Sequence, residues 1–276
     1  MEKSIFNFKI LYENGDIVDL HDKDLWVSSF RIFSLSPNHI RETINGRHGS
    51  INLGSSLNKR KISTAISVEG YDPVDFDLIR DEIYSMFDPL KSFHIVRDLQ
   101  PGKRMKVSVS SEFDIDYLTL EDGEFELELS IDSVFLESVG TTLDPFTFDS
   151  DLWQFGQGLT TEDLNYAHTT NIFNIYNAGN VNINPRYMEL VIEYTGASSN
   201  LKIINETTGD EWSYNGSSNS GDVIKIDGIR SVKNELSIFR QTNKKLITLA
   251  PGWNGFRLSG TVGNFEIKFK FRYLYI

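Results

Sequence analysis

Apolar and polar residues alternate with a period of two along most of this chain, and only one segment changes to a helical period. Phe125, Leu127, Leu129 and Ile131 alternate with Glu124, Glu126, Glu128 and Ser130, and Ile62, Thr64, Ile66 and Val68 share one face. A strand places successive side chains on opposite faces, so this pattern predicts sheets with one buried and one wetted side. Asn14-Gly15 between two alternating runs is a hairpin signal, because both residues tolerate positive φ. Gln100-Pro101-Gly102 and Asp122-Gly123 read as further turns. The exception begins at Asp72-Pro73, a capping residue followed by a proline whose missing N–H costs nothing at a helix start. Phe76, Ile79, Ile83 and Met86 or Phe87 then form an apolar stripe, which Asp88-Pro89 ends.

The chain has 276 residues, which at roughly 100–200 per domain suggests two domains. Alternation lapses between Glu137 and Thr170, through Gly140-Thr141-Thr142, Asp144-Pro145 and Gly156-Gln157-Gly158. The expected organisation is mainly β. A β-rich domain with one helix covers 1–139, an inter-domain crossing covers 140–170 with Trp153 and Phe155 as anchors, and a β-sandwich covers 171–276. Within the first domain, Ile40 to Leu57 holds Gly46, Gly49 and Gly54 and reads as a long loop or extended arm.

The net charge is −12, and residues 1–139 hold 15 basic and 25 acidic side chains against 12 and 14 in the remainder. Gripping nucleic acid through its phosphates requires clustered Lys and Arg, so the balance opposes that function. The chain has no cysteine, which excludes disulfides, thiolate nucleophiles and cysteine-ligated metals. The N-terminal residues hold no signal-like apolar run, and no stretch approaches the roughly 18 apolar residues of a membrane helix. The expectation is a protein with no membrane partner that folds in the compartment where it is made.

The search for chemistry returns little. The five histidines lack metal-site spacing, and His39 with His48 has no carboxylate pattern beside it. Glu124, Glu126 and Glu128 form a row along one strand, whereas glycoside hydrolysis needs two carboxyl groups opposed across a sugar. No nucleophile elbow, phosphate loop or dinucleotide fingerprint is present, so the reading is a non-enzyme without cofactors. Aromatic residues are plentiful. Trp212, Tyr214 and Trp253 fall beside turns, where they could stack on sugars or fill the corners of a sandwich core.

Six segments together resemble the distal tail protein family of long-tailed, non-contractile phages. They are Gly46 to Gly54, Leu99 to Lys103, Leu152 to Leu159, Leu201 to Gly209, Val223 to Asp227 and Leu249 to Asn254. The resemblance implies an N-terminal ring-forming domain with a helix and an extended hairpin, followed by a galectin-like sandwich. It also implies six copies closing into a ring between the tail tube protein and the tip or baseplate protein, with DNA passing through the hole unbound. Receptor-binding components would dock on the outward sandwich. Assembly would take place in the host cytoplasm, and the mature location would be the tail tip of the virion. On this reading Gly46, His48, Gly49, Ile51 and Leu53 belong to an inter-subunit arm, and Glu124, Glu126 and Glu128 are candidates to face the channel. The alternative is a carbohydrate-binding virion or surface protein that attaches to the host wall through Trp212, Tyr214 and Trp253.

Overall fold

A computed structural model describes residues 3–147, 151–159 and 164–276. The chain divides into two compact units, with the boundary between Leu136 and Glu137.

In the first unit the strands are β1 (Phe8–Leu11), β2 (Ile17–Asp19), β3 (Leu25–Ile32), β4 (Pro37–Glu42), β5 (Ile51–Leu57) and β6 (Arg60–Glu69). The helix α1 (Pro73–Met86) follows, then β7 (Ser92–Arg97), β8 (Gln100–Val109), β9 (Asp116–Tyr117) and β10 (Asp122–Ile131). The main sheet has the order β2-β1-β7-β8-β10-β6-β3, with its neighbouring strands antiparallel. The Asn14-Gly15 turn closes β1 onto β2, with Tyr12 N donating to Asp16 O at 2.9 Å. Between β7 and β8 the turn lies at Asp98-Leu99. Arg97 pairs with Gln100, so Gln100-Pro101-Gly102 opens a strand instead of forming the expected turn. Although Ile115 to Leu120 reads as a strand in the sequence, β9 spans two residues of it.

The helix forms as its sequence requires. The Asp72 carboxylate accepts from the N–H groups of Val74 and Asp75 at 2.8 Å each, which satisfies two donors that the helix itself leaves unpaired. Phe76, Ile83, Met86 and Phe87 are buried, and Phe87 lies 6.1 Å from Phe93 and 6.4 Å from Phe125 by ring centroid. Gly123 admits the Phe76 ring to β10, because a Cβ there would lie 2.7 Å from Phe76 Cζ.

The second unit is a β-sandwich built on two long strands. β11 (Leu136–Ser138) runs through the boundary, and the second unit continues with β12 (Ala167–His168), β13 (Ile172–Asn177), β14 (Leu190–Asn205), β15 (Asp210–Ser213) and β16 (Ser217–Ser218). They continue with β17 (Val223–Asp227), β18 (Arg230–Lys233), β19 (Leu236–Ser237), β20 (Gly252–Phe271) and β21 (Leu274–Tyr275). Buried residues on β14 are even-numbered from Leu190 to Ser198 and odd-numbered from Leu201 to Asn205. On β20 they are even-numbered from Asn254 to Leu258 and odd-numbered from Phe265 to Phe271. Both strands bend where the parity changes, at register shifts beside Gly196 and between Ser198 and Lys202. Bulges of this kind let one strand serve two layers. One layer holds β13, the first half of β20, the second half of β14, and β15. The other holds β12, the remaining halves, β17, β18 and β19. Phe256 meets Phe269 between them at 4.8 Å, and Phe173 stacks on Phe256 at 5.6 Å.

The expected crossing segment is packed into this second unit. Thr142 Oγ1 donates to Phe269 O at 2.6 Å, and Trp153 stacks on Phe146 at 4.6 Å while its Nε1 donates to Pro145 O. Phe155 does not anchor it, being 92% exposed. Residues 148–150 and 160–163 of this segment lie outside the described set. Lys245 to Leu249 also reads as a strand in the sequence, and there the backbone makes the isolated bridge Ile183 to Leu249.

Candidate assembly surfaces

Among the described residues, strands β4 and β5 pair only with each other, forming a two-stranded sheet separate from the main one. The expected loop or arm is therefore a β-ribbon continuing outward from the β3–β6 pair. Its base is pinned by Phe33 N to Lys61 O at 3.0 Å, Asn58 N to Ser36 O at 2.9 Å and Arg60 Nε to Phe33 O at 2.8 Å. Burial pushes the Arg60 guanidinium below its usual pKa. Beyond that base every residue of β4 is exposed. Gly46 and Gly49 occupy the tip with φ of 84° and 83°, a backbone that favours glycine, and His48 lies exposed between them. Ile51 is half-buried, whereas Leu53 is 59% exposed at the register break opposite Ile40 and Arg41. Ile40, Ile44 and Leu57 are also exposed, so the ribbon carries apolar side chains open to solvent among the described residues.

The glutamate row lies on the wetted face of β10, as alternation predicts. Glu124 and Glu126 are exposed and make no ion pair among the described residues, while Glu128 is bridged by Lys61 from β6. Opposite them on β6 stand Ser67, Ala65 and Ser63, so this face joins an acidic row to a row of small side chains.

The three aromatic residues do not form a platform. Trp212 is 1% exposed, faces inward on β15 opposite Ile203, and donates from Nε1 to Ser231 Oγ at 3.3 Å. Tyr214 is buried as well. Both rings fill the sandwich, and only Trp253 reaches the surface, being 44% exposed. Sequence alone places all three beside turns; which way each points depends on strand register.

A second aromatic group was not anticipated. Tyr166 donates its hydroxyl to Tyr176 O at 2.8 Å and receives one from Tyr273 at 2.6 Å, and Tyr275 donates to Gln157 O at 2.8 Å. Burial raises the pKa of Tyr166, Tyr273 and Tyr275 well above that of a free phenol, and it pushes Tyr194 up to about 12. These phenols act as neutral donors that tie the irregular segment to the sandwich.

The model of a phage tail protein RIFT-related domain matches residues 19–131, the stretch from β2 through β10 that includes the ribbon and the helix. The match falls within the first unit. The whole chain matches the Dit protein (gp 19.1) of phage SPP1, described as a paradigm of the hub adsorption apparatus in phages infecting Gram-positive bacteria. The TM-score is 0.69 at 14% identity, covering 96% of this chain and 99% of that one. In fold, the chain is similar to that distal tail protein along nearly its whole length. Chains of the phage p2 baseplate in its activated conformation also align, with Ca at a TM-score of 0.47 and with Sr at 0.46. Each is 9% identical and covers 96% of this chain and 97% of that one. No curated protein matches the sequence.

Proposed function

We propose that this chain is a structural, non-enzymatic component of a phage tail tip, six copies of which close into a ring joining the tail tube to the tip or baseplate. The full-length correspondence with the SPP1 Dit fold is the observation that carries this reading. The exposed ribbon supports it physically. A ring made of head-to-tail contacts needs two different complementary patches on each subunit, and an unpartnered ribbon with apolar knobs is suited to be one of them. In this reading Gly46 and Gly49 shape the arm tip around His48, while Ile51 and Leu53 pack against the neighbouring copy.

Glu124 and Glu126 would face the bore, where free carboxylates repel passing phosphates within about 8–10 Å. DNA then traverses the ring without being held. The tube protein takes one face of the ring and the tip or baseplate protein takes the other. The sandwich remains outside to receive a receptor-binding protein, and assembly precedes release from the host cytoplasm.

Native mass spectrometry tests the proposal. The expected species is about 189 kDa, six times the 31.5 kDa chain. Replacing the ribbon by a short turn is expected to leave monomers with an intact melting transition. An unchanged hexamer after that truncation would overturn the role of the arm. A chain that stays monomeric both alone and when coexpressed with the tube protein would overturn the ring.

A further inference from the structure

The outer face of the sandwich layer formed by β13 and the first half of β20 brings together side chains that are far apart in sequence. The register sets Tyr176 beside Trp253, Asn174 beside Gly255 and Ile172 beside Arg257. The intervening residues Phe173, Ile175, Asn254, Phe256 and Leu258 are buried, so the first set points outward.

Trp253 is braced by Tyr176, with ring centroids 4.8 Å apart at 48°, and its indole N–H has no partner among the described residues. Next along β20, Gly255 leaves a bare floor. A Cβ there would find nothing closer than Asn174 Oδ1 at 3.6 Å and Thr207 Oγ1 at 4.0 Å. Thr207 also accepts from Gly255 N at 3.0 Å, and Glu206 N donates to Gly255 O at 2.8 Å, which holds the far wall against the strand. One step further, Arg257 Nε donates to Glu206 Oε1 at 2.6 Å, and both side chains remain about half exposed. The Asn174 amide is exposed and makes no side-chain hydrogen bond among the described residues.

We propose that this outward face, with Gly255 at its centre and Trp253, Asn174, Arg257 and Glu206 around it, is a saccharide-binding site. A pyranose ring has one apolar C–H face and a rim of hydroxyls, each both donor and acceptor. The site matches both halves. The braced indole offers a large, rigid apolar surface, and the bare glycine lets a flat ring lie close to the backbone. The amide of Asn174 donates and accepts together, the guanidinium has donors left beyond the one used by Glu206, and the carboxylate retains an accepting oxygen. A phosphate ligand is disfavoured by Glu206 standing beside Arg257. The site shares no residue with the ribbon or the acidic row, so it stands or falls independently of the ring.

The test uses the full chain and two soluble probes, the β1,4-linked N-acetylglucosamine tetramer and cellotetraose. Saturation-transfer NMR and calorimetry provide the readouts. One probe series is expected to bind with Kd between about 10 μM and 1 mM. Trp253→Ala is expected to weaken it at least tenfold. Gly255→Leu fills the floor where a Cβ meets only ordinary contacts, so it is expected to abolish binding with the melting temperature retained. Glu206→Gln is expected to weaken binding severalfold. Phe155→Ala, which removes an exposed ring elsewhere on this unit, is expected to leave it unchanged. Absence of binding by both probes at about 10 mM, or binding that survives Gly255→Leu, overturns the proposal.

Discussion

The β4–β5 ribbon and the β14–β20 pair are both antiparallel, glycine-bearing and interrupted by a register break, yet their side chains fare differently. Along β14 and β20 nearly every second residue is buried, and the breaks serve to move burial from one layer to the other. Along the ribbon the break moves nothing, because no described residue of either strand is buried. Backbone hydrogen bonds contribute a net ~1 kcal/mol each, which is about what ordering one residue costs. The long pair is held by the core it encloses. The ribbon lacks that contribution, and an isolated two-stranded hairpin is at best marginal in water. Ladder bonding therefore gives a shape, and burial decides whether the chain can keep that shape alone.

Several experiments can break or sharpen this contrast. The largest effect is expected from alkali. Tyr166, Tyr273 and Tyr275 are held protonated in the fold, so their stabilisation is complete below pH ~10 and is lost as the unfolded phenols ionise above it. Each further pH unit removes about 1.4 kcal/mol per phenol still protonated in the native state. Absorbance at 295 nm should show these phenols ionising only together with unfolding of the sandwich. The ribbon contains no tyrosine and contributes nothing to that signal.

Phe256→Ala, at the contact between the two layers, should cost about 3–5 kcal/mol in urea unfolding followed by the sandwich's near-ultraviolet signal. Gly260→Val, at φ 81° with a Cβ 2.5 Å from Ser199 O, should cost about 1–3 kcal/mol. Leu53→Ser on the ribbon should change monomer stability by less than about 0.5 kcal/mol while raising the concentration needed for the proposed ring, measured by light scattering. A large loss of monomer stability in that variant would mean that the ribbon is packed on its own chain, and the contrast would fail.

Local signals were legible wherever one residue type does one job. Asp72-Pro73 marks the helix start, Asn14-Gly15 marks a hairpin, and the alternation of β10 gives its inward and outward faces correctly. Features that depend on how strands pair were not. Leu201–Asn205 reads as a separate strand because the parity change before it resembles a turn, although the backbone runs on through the bend. Pro101 reads as turn chemistry, yet it lies at the start of β8, where proline is tolerated. The ribbon reads as a loop because, with both faces exposed, it has no apolar period to betray its strands. The same limit hides the face around Gly255: Asn174, Glu206 and Arg257 meet only through register, and nothing in their spacing announces it.

The parity changes in β14 and β20 have a consequence for how such a sandwich accepts insertions and deletions. Elsewhere in a strand, one added residue turns every following side chain inside out. At Ser199-Asn200 and around Gly260 to Gly263 the inward face is already being reset, and those residues are mostly exposed. A residue gained or lost there can be taken up locally, before the next buried position is reached. The two bends are joints of adjustable length, and they let the halves of each long strand drift apart in sequence without disturbing the core on either side.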